Sequence, residues 1–424
     1  MTLLLTFFFA ALLAGLPIFI ALASSSLVYT HFSTMIPDFV VLHRIAGGVD
    51  SFPLIAVPFF ILAGNLMNTA GITNRIYDFA TAAVGWLHGG LGHVNVVGSV
   101  IFAGMSGTAV ADAGGLGTIE IKAMRDHGYP DSFAVGITAA SSTIGPIIPP
   151  SLPMVIFGVM ANVSIGQLFA AGFLPGLLMA GCMMLYVAWY AWRHKIGRDQ
   201  PFYWAVLGRT FIGAIPALLT PAIIIGGMAT GAFTPTEAAI AACAWALILG
   251  TLLYKSLNWK QFYRISMETI ETTASVLIIV GAASLFGWVL TTTRVTEQVT
   301  EALLSITSDP LMLLLLINIL LLVVGCFMET IAAISILVPV LMPAVLKAGI
   351  DPVQFGVIMV LNLMIGLLTP PVGMVLFVLS RVAKMSFDRT VKAVMPFLIP
   401  LLGVLILISI FPQITLYLPT LWYR

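Results

Sequence analysis

Charge is scarce in this sequence: Asp, Glu, Lys and Arg together make up 8% of 424 residues, against 60% hydrophobic residues and a net charge of +1. One soluble core of that length could not hide so much apolar surface, so the medium around the fold must be lipid. Cysteine is nearly absent too. Cys182, Cys243 and Cys326 lie far apart inside apolar stretches, which excludes a disulfide framework or a C-x-x-C metal site and leaves them as core- or lipid-facing side chains. The six histidines lack metal-ligand spacing, and basic residues are too sparse for a nucleic-acid surface. Neither G-x-S-x-G, H-E-x-x-H nor G-x-x-x-x-G-K-[ST] occurs, so hydrolase, zinc-protease and P-loop ATPase chemistry find no support. Residues 3 to 22 carry no charged leader and no A-x-A site, and read as a first membrane span rather than a cleaved signal.

What is present is a repeat. Gly145-Pro146-Ile147-Ile148-Pro149-Pro150 recurs as Gly366-Leu367-Leu368-Thr369-Pro370-Pro371, an offset of 221 positions (366 less 145). The same shift lays Gly104 on Gly325, Gly128 on Gly349 and Pro175 on Pro396, and brings the MVIF at Met154 within one position of the MVLF at Met374. A first half over residues 1 to 192 and a second over 235 to 424 follow, joined by a basic loop and a connecting span within 193 to 234. Each half reads as an apolar span, a second span, a paired segment, a Pro-interrupted segment and a closing span. In the first half these are 3 to 22, 51 to 69, 93 to 121, 132 to 158 and 166 to 192. In the second they are 235 to 254, 268 to 293, 311 to 342, 353 to 380 and 395 to 418. Two full crossings and a turn need roughly forty residues, more than either paired segment has. Both are therefore expected to be re-entrant helical hairpins, with one long tilted helix as the alternative.

With four spans per half and one connector, the halves should lie upside down relative to each other. Placing the amino terminus in the cytoplasm leaves only Arg44, Arg294, Lys347 and Arg424 of the 18 basic residues outside, and puts the carboxyl terminus in the periplasm. The loop after the first broken segment, ANVSIGQLF, has no charge, whereas its counterpart RVAKMSFDRTVK is basic, so equivalent loops face opposite sides. The fold class is thus an all-α polytopic membrane protein with an inverted-topology repeat, two hairpins and two Pro-broken helices. That architecture belongs to secondary transporters, with sites near the midplane.

Proline removes an amide donor and disfavours helix just before it, so the chain should unwind at Gly145 to Pro150 and at Gly366 to Pro371, freeing carbonyl oxygens. Hard cations take such oxygens. Ser141, Ser142 and Thr143 stand beside the first break, with Ser106, Thr108 and Asp112 at the first hairpin tip. Asn362 and Thr369 stand near the second, with Glu329 and Thr330 at its tip. The plainer alternative for each hydroxyl is a bond back to the preceding turn. Asp112 and Glu329 read as the only acids well inside apolar segments, where charge is expensive. Asp112 is open to a role as ligand, proton site or cap; Glu329, at the start of a returning helix, reads as a cap. An acidic solute would be met by helix starts and bound cations, since no Lys or Arg lies mid-membrane. Arg44 and Arg381, at segment edges, read as interface anchors, with a helping role toward the solute carboxylate as the alternative.

At SGTAVADAGGLG, SSTIGPIIPPSLP and GLLTPPVG, and over essentially its whole length, the chain resembles the large, DctM-like membrane subunit of tripartite ATP-independent periplasmic (TRAP) transporters. The resemblance implies sodium-coupled uptake of an organic acid, sialic acid first and a C4-dicarboxylate next, across the bacterial inner membrane by an elevator movement. It implies two partners, a small four-helix membrane subunit on a separate chain and a periplasmic substrate-binding protein. It places sodium at Ser106, Thr108, Ser141, Ser142 and Gly145, and again at Gly325, Thr330, Gly366 and Thr369; the residue reading adds Asp112 to the first set as a candidate metal ligand. Ser106, Ser141, Thr143 and Asn362 are the groups expected to meet the solute. A proton-coupled carrier using Asp112 is the rival reading.

Overall fold

The computed structural model describes residues 2–33, 38–69 and 71–423, and among them the regular structure is helical. Chain order runs α1 (Thr2–Leu13), α2 (Ile18–Ser33), α3 (Asp38–Val49), α4 (Ala56–Thr69), α5 (Ile72–Val84), α6 (Gly90–Ser106), α7 (Ala109–Gly114), α8 (Leu116–Asp126), α9 (Asp131–Ser142), α10 (Leu152–Ala161) and α11 (Ile165–His194). A connector, α12 (Trp204–Ala229), leads to α13 (Pro235–Ile248), α14 (Trp259–Thr292), α15 (Val295–Ile306), α16 (Pro310–Gly325), α17 (Thr330–Lys347), α18 (Pro352–Gly366), α19 (Met374–Ala383), α20 (Phe387–Val394), α21 (Leu398–Ile410) and α22 (Pro412–Trp422). Helix starts follow local chemistry. Asp309, Asp351 and Thr234 each stand before a proline at the first helical position and accept a backbone N–H, and Thr234 closes a capping box with Glu237.

The repeat extends to whole elements. Asp131 opens α9 and Pro352, 221 positions on, opens α18, while α10 and α19, and α5 and α15, start within two residues of the same shift. Packing is reciprocal: α10 lies against α17, and α19 against α7 and α8. Such mutual exchange is what a two-fold relation between halves produces. The middle of the fold belongs to the broken helices. From Val353 to Gly366 every residue of α18 is buried, as is every residue of α9 from Phe133 to Ser142. A helix apolar all round must be enclosed, and these two are enclosed by protein. Phe157 of α10 meets Phe355 of α18 edge to face, with ring centroids 6.1 Å apart.

Several expected boundaries shift. The span expected at 3 to 22 is two helices, because Gly15 sits at φ 79° and Pro17 follows, and α1 packs beside α2. The closing segment expected at 395 to 418 is divided at Phe411, where Pro412 begins α22. Of the nine crossings counted from sequence, the broken segments have arms of 10 to 15 residues, too short alone. Seven helical segments among the described residues are long and apolar enough to cross a bilayer, or eight with α15 and α16, bent by 119°, taken as one. One of the seven is α17, which the sequence assigned to a hairpin arm. Arg424 lies outside the described residues.

Candidate functional site

The turn between α6 and α7 meets the first helix break. α6 ends at Ser106, whose side chain lies outside the described residues, and Gly107 turns the chain at φ 59°. A Cβ there would stand 2.6 Å from the Pro150 carbonyl oxygen, so only glycine permits both the turn and the approach. Thr108 caps α7 by accepting the Ala111 N–H at 3.4 Å. Asp112, one turn on, is buried, and its Oδ2 has no hydrogen-bond partner. The Cβ position of Gly145 lies 3.4 Å from the Ser142 carbonyl oxygen and 3.9 Å from both the Thr108 carbonyl and Asp112 Oδ2. Two main-chain carbonyls and an unpartnered carboxylate oxygen therefore border one glycine, a donor set suited to a hard cation. The hydroxyls of Ser142 and Thr143 donate to the Ala139 and Ala140 carbonyls at 2.7 and 2.6 Å. Their protons are spent locally while oxygen lone pairs remain.

The second half repeats the scheme with different side chains. Gly325 and Gly366 touch backbone to backbone, since a Cβ on Gly366 would stand 2.6 Å from Gly325 Cα. The Val372 and Gly373 N–H groups donate to the Cys326 carbonyl at 3.3 and 3.4 Å, tying the second break to the second tip. Cys326, read from sequence as filler, thus holds this junction through its backbone. Thr330 Oγ1 is buried without a partner, and Thr369 Oγ1 donates to the Ile365 carbonyl at 2.8 Å. Glu329 caps α17, accepting the Ile331 and Ala332 N–H groups at 2.9 and 3.1 Å. It stands 221 positions after Thr108, which caps α7 in the same way.

Behind each junction lies an amide network. In the first half Asn95 Nδ2 donates to Glu120 Oε2 at 2.7 Å and to Thr138 Oγ1 at 2.8 Å, while its Oδ1 accepts from Ser141 Oγ at 2.6 Å. In the second, Asn362 donates to the Asn318 carbonyl and to Asn318 Oδ1 at 3.0 and 2.9 Å, and Asn318 donates to Ser409 at 3.1 Å. Ser141 and Asn362 occupy equivalent positions, 221 apart, joined respectively to Asn95 of α6 and Asn318 of α16. Glu120, 2% exposed with Oε1 unpartnered, corrects the expectation that Asp112 and Glu329 are the only buried acids. It was missed because Lys122 and Arg125 follow it and make the segment look like a loop edge.

Between the two tips lies a cavity of about 470 Å³. Thr108 and Glu329 open onto it, together with Asn65 and Asn68 of α4 and Thr272 and Ser275 of α14, and no Lys or Arg borders it. Ser141, Thr143 and Asn362 do not: all three are fully buried behind it. The polar residues of α4 and α14 carry little signal in the sequence: each pair is spaced i, i+3, which puts both members on one face, but in α14 they follow a polar first half that includes Lys260, Arg264, Glu268 and Glu271. Arg44 lies over the Trp288 ring, 5.0 Å from its centroid, and Arg381 is exposed in the last turn of α19, so neither reaches the cavity.

Among the described residues, seven or eight apolar helical spans, two helices interrupted at the centre, and a largely apolar cavity with a few polar side chains between their junctions define a polytopic membrane transport protein. The chain belongs to the tripartite ATP-independent periplasmic transporters, as a DctM component, a family whose pattern it matches over residues 5–414. It is 47% identical to the sialic acid TRAP transporter large permease protein SiaM of Vibrio cholerae serotype O1 over 417 residues, which cover 97% of this chain and 96% of that one. It is 45% identical to the sialic acid TRAP transporter permease protein SiaT of Haemophilus influenzae over 378 residues, 89% of this chain and 61% of that longer one. Its fold is also that of the YdaH transporter of Alcanivorax borkumensis, with a TM-score of 0.65, 89% of each chain covered and 16% identity. The relatives are permease subunits, not enzymes.

Proposed function

We propose that this permease imports an acidic organic solute, sialic acid first and a C4-dicarboxylate next, across the bacterial inner membrane by sodium symport. The carrying observation is the pair of junctions at Gly145 and at Gly325–Gly366. At the first, two main-chain carbonyls and the unpartnered Asp112 oxygen border one glycine; at the second, two glycine backbones meet, and Thr330, five residues after Gly325, has a buried hydroxyl without a partner; no basic side chain borders the cavity between them. Sodium ions are the coupling species in this reading, held by Thr108, Asp112, Ser142 and Gly145 on one side and by Gly325, Thr330, Gly366 and Thr369 on the other. The solute occupies the cavity between the tips, where bound cations and helix starts offset its carboxylate. Sialic acid ranks first because two relatives at 45 to 47% identity carry that name. The hairpin-bearing elements move as an elevator against a scaffold containing α4 and α14. A small membrane subunit and a periplasmic binding protein complete the transporter.

The test is reconstitution in liposomes with both partner proteins, imposing sodium, proton or potassium gradients separately and offering labelled sialic acid or succinate. Uptake driven by an inward sodium gradient at constant pH is expected. Ser142→Ala and Thr369→Val should each lower apparent sodium affinity while expression stays intact; unchanged sodium dependence in both would remove the proposed sites. The buried, unpartnered Asp112 Oδ2 favours one rival, a proton-coupled carrier. Uptake driven by a proton gradient in sodium-free medium would establish it.

A further inference from the structure

A second cavity, of about 680 Å³, opens far from the hairpin tips, between the start of α6 and the end of α11. Its position follows from a left-handed residue. Lys195 ends α11 at φ 54°, and the chain turns back so that Ile196 N–H donates to the Ala191 carbonyl and Gly89 N–H to the Gly197 carbonyl, at 2.9 and 3.0 Å. His88 then pairs with Arg198 across a short antiparallel bridge. The pocket that results is bordered by His88, His93, Trp192 and Lys195 over an apolar floor of Ala188 and Ala191, and no carboxylate borders it. His93 is 3% exposed and its Nδ1 has no hydrogen-bond partner, a cost that buried polar groups rarely bear without a ligand or water. The nearest acid in the sequence, Asp199, is engaged. Its Oδ2 accepts the Leu91 N–H at 2.8 Å and the Tyr129 hydroxyl at 2.6 Å, and burial, with that carboxylate second, holds the phenol well above its ordinary range, so the proton stays in place.

Outside the pocket, α11 shows an unusual face. Leu185, Trp189 and Trp192 are 72, 53 and 76% exposed at spacings of four and three, which aligns them on one side of the helix. A basic pocket at the end of an apolar, Trp-bearing stripe is the geometry of a lipid with its headgroup in the pocket and its chains along the helix. We propose that this cavity binds the phosphate of an anionic phospholipid, held by Lys195 and His88 with the buried His93 ring at its inner wall, and with the acyl chains lying along Leu185, Trp189 and Trp192. An anionic rather than zwitterionic headgroup fits, because Lys195 borders the pocket, Arg198 pairs with the lining His88, and these cations would repel a choline or ethanolamine ammonium.

The experiment uses the full chain in detergent. It measures thermal unfolding and lipid adducts by native mass spectrometry during titration with dioleoyl phosphatidylglycerol, dioleoyl phosphatidylcholine, glycerol 1-phosphate or inorganic phosphate. Lys195→Gly suits the left-handed backbone, and His88 is exposed, so the double variant His88→Ala/Lys195→Gly should fold; the single His88→Ala is the second line. Phosphatidylglycerol is expected to raise the unfolding temperature of the parent chain and to bind the double variant about tenfold more weakly, as removal of a surface cation predicts. Equal phosphatidylglycerol binding by parent and variant, or phosphatidylcholine binding as tight as phosphatidylglycerol, would overturn the proposal. Glycerol 1-phosphate or inorganic phosphate matching the lipid would assign the pocket to a soluble phosphate instead and overturn the lipid.

Discussion

Asp112 stands alone among the described acids in having a bare oxygen beside a helix break. If that oxygen faces a sodium ion, Asp112→Asn keeps the side-chain shape and removes the charge. The concentration of sodium giving half-maximal uptake should then rise about tenfold, the equivalent of ~1–2 kcal/mol for one charge-assisted contact. A sodium titration of solute uptake reads this directly, and an unshifted curve would exclude Asp112 as a ligand. Gly366 carries a different load. An alanine there would drive its Cβ to 2.6 Å from Gly325 main-chain atoms, which cannot retreat as a flexible side chain can. Gly366→Ala should cost about 1–3 kcal/mol by forcing the two backbones apart. A lowered unfolding temperature in detergent is the expected result, and an unchanged one would show that the contact is slack.

At the scale of elements, α6 is bound to α9, and α16 to α18, by side-chain amides as well as by packing. Asn95 bonds to α8 and α9 together, so removing it strands Glu120 in a buried setting, while Ser141 keeps the Thr138 carbonyl as an acceptor. Asn95→Leu should therefore destabilise the fold by about 1–3 kcal/mol, whereas Glu120→Gln, which still offers an oxygen to Asn95, should cost less. Thermal unfolding of the two variants side by side tests the order. Reversal of that order would mean that the carboxylate charge, not the amide bridge, holds the elements. The helix starts at the tips obey a simpler rule. Thr108 and Glu329 differ in charge and size, yet each supplies an oxygen to the N–H groups of a returning helix, and the repeat preserves the function of the position rather than the residue.

For the whole molecule, the decisive question is which way each half faces. The proposed arrangement puts the 193 to 203 loop in the cytoplasm and the 230 to 234 turn in the periplasm. Gly197 has open space around a prospective Cβ and Ala232 is exposed, so single cysteines at these points, in a chain with Cys182, Cys243 and Cys326 replaced, should be tolerated. A membrane-impermeant thiol reagent added to intact cells with a permeable outer envelope is expected to label Ala232→Cys and to spare Gly197→Cys. The opposite pattern would invert the topology and with it the direction of transport. The same experiment bears on the lipid pocket, which lies beside Gly197 and so would face the inner leaflet.

Much of this was readable in the one-dimensional chain. Proline pairs and glycines at a constant shift located both breaks to within a few residues, because proline's missing donor and glycine's missing Cβ act locally, whatever surrounds them. The lipid medium was equally plain from composition. The residues that line the central cavity were not, nor was burial of Glu120, nor the distance of Ser141, Thr143 and Asn362 from that cavity. Those depend on which faces of α4, α8, α9, α14 and α18 meet, and an apolar helix in lipid shows little amphipathic pattern to announce its protein-facing side. The amino-acid order by itself determined where the helices break and that a bilayer surrounds them; only the tertiary packing decided which of the freed oxygens share a site.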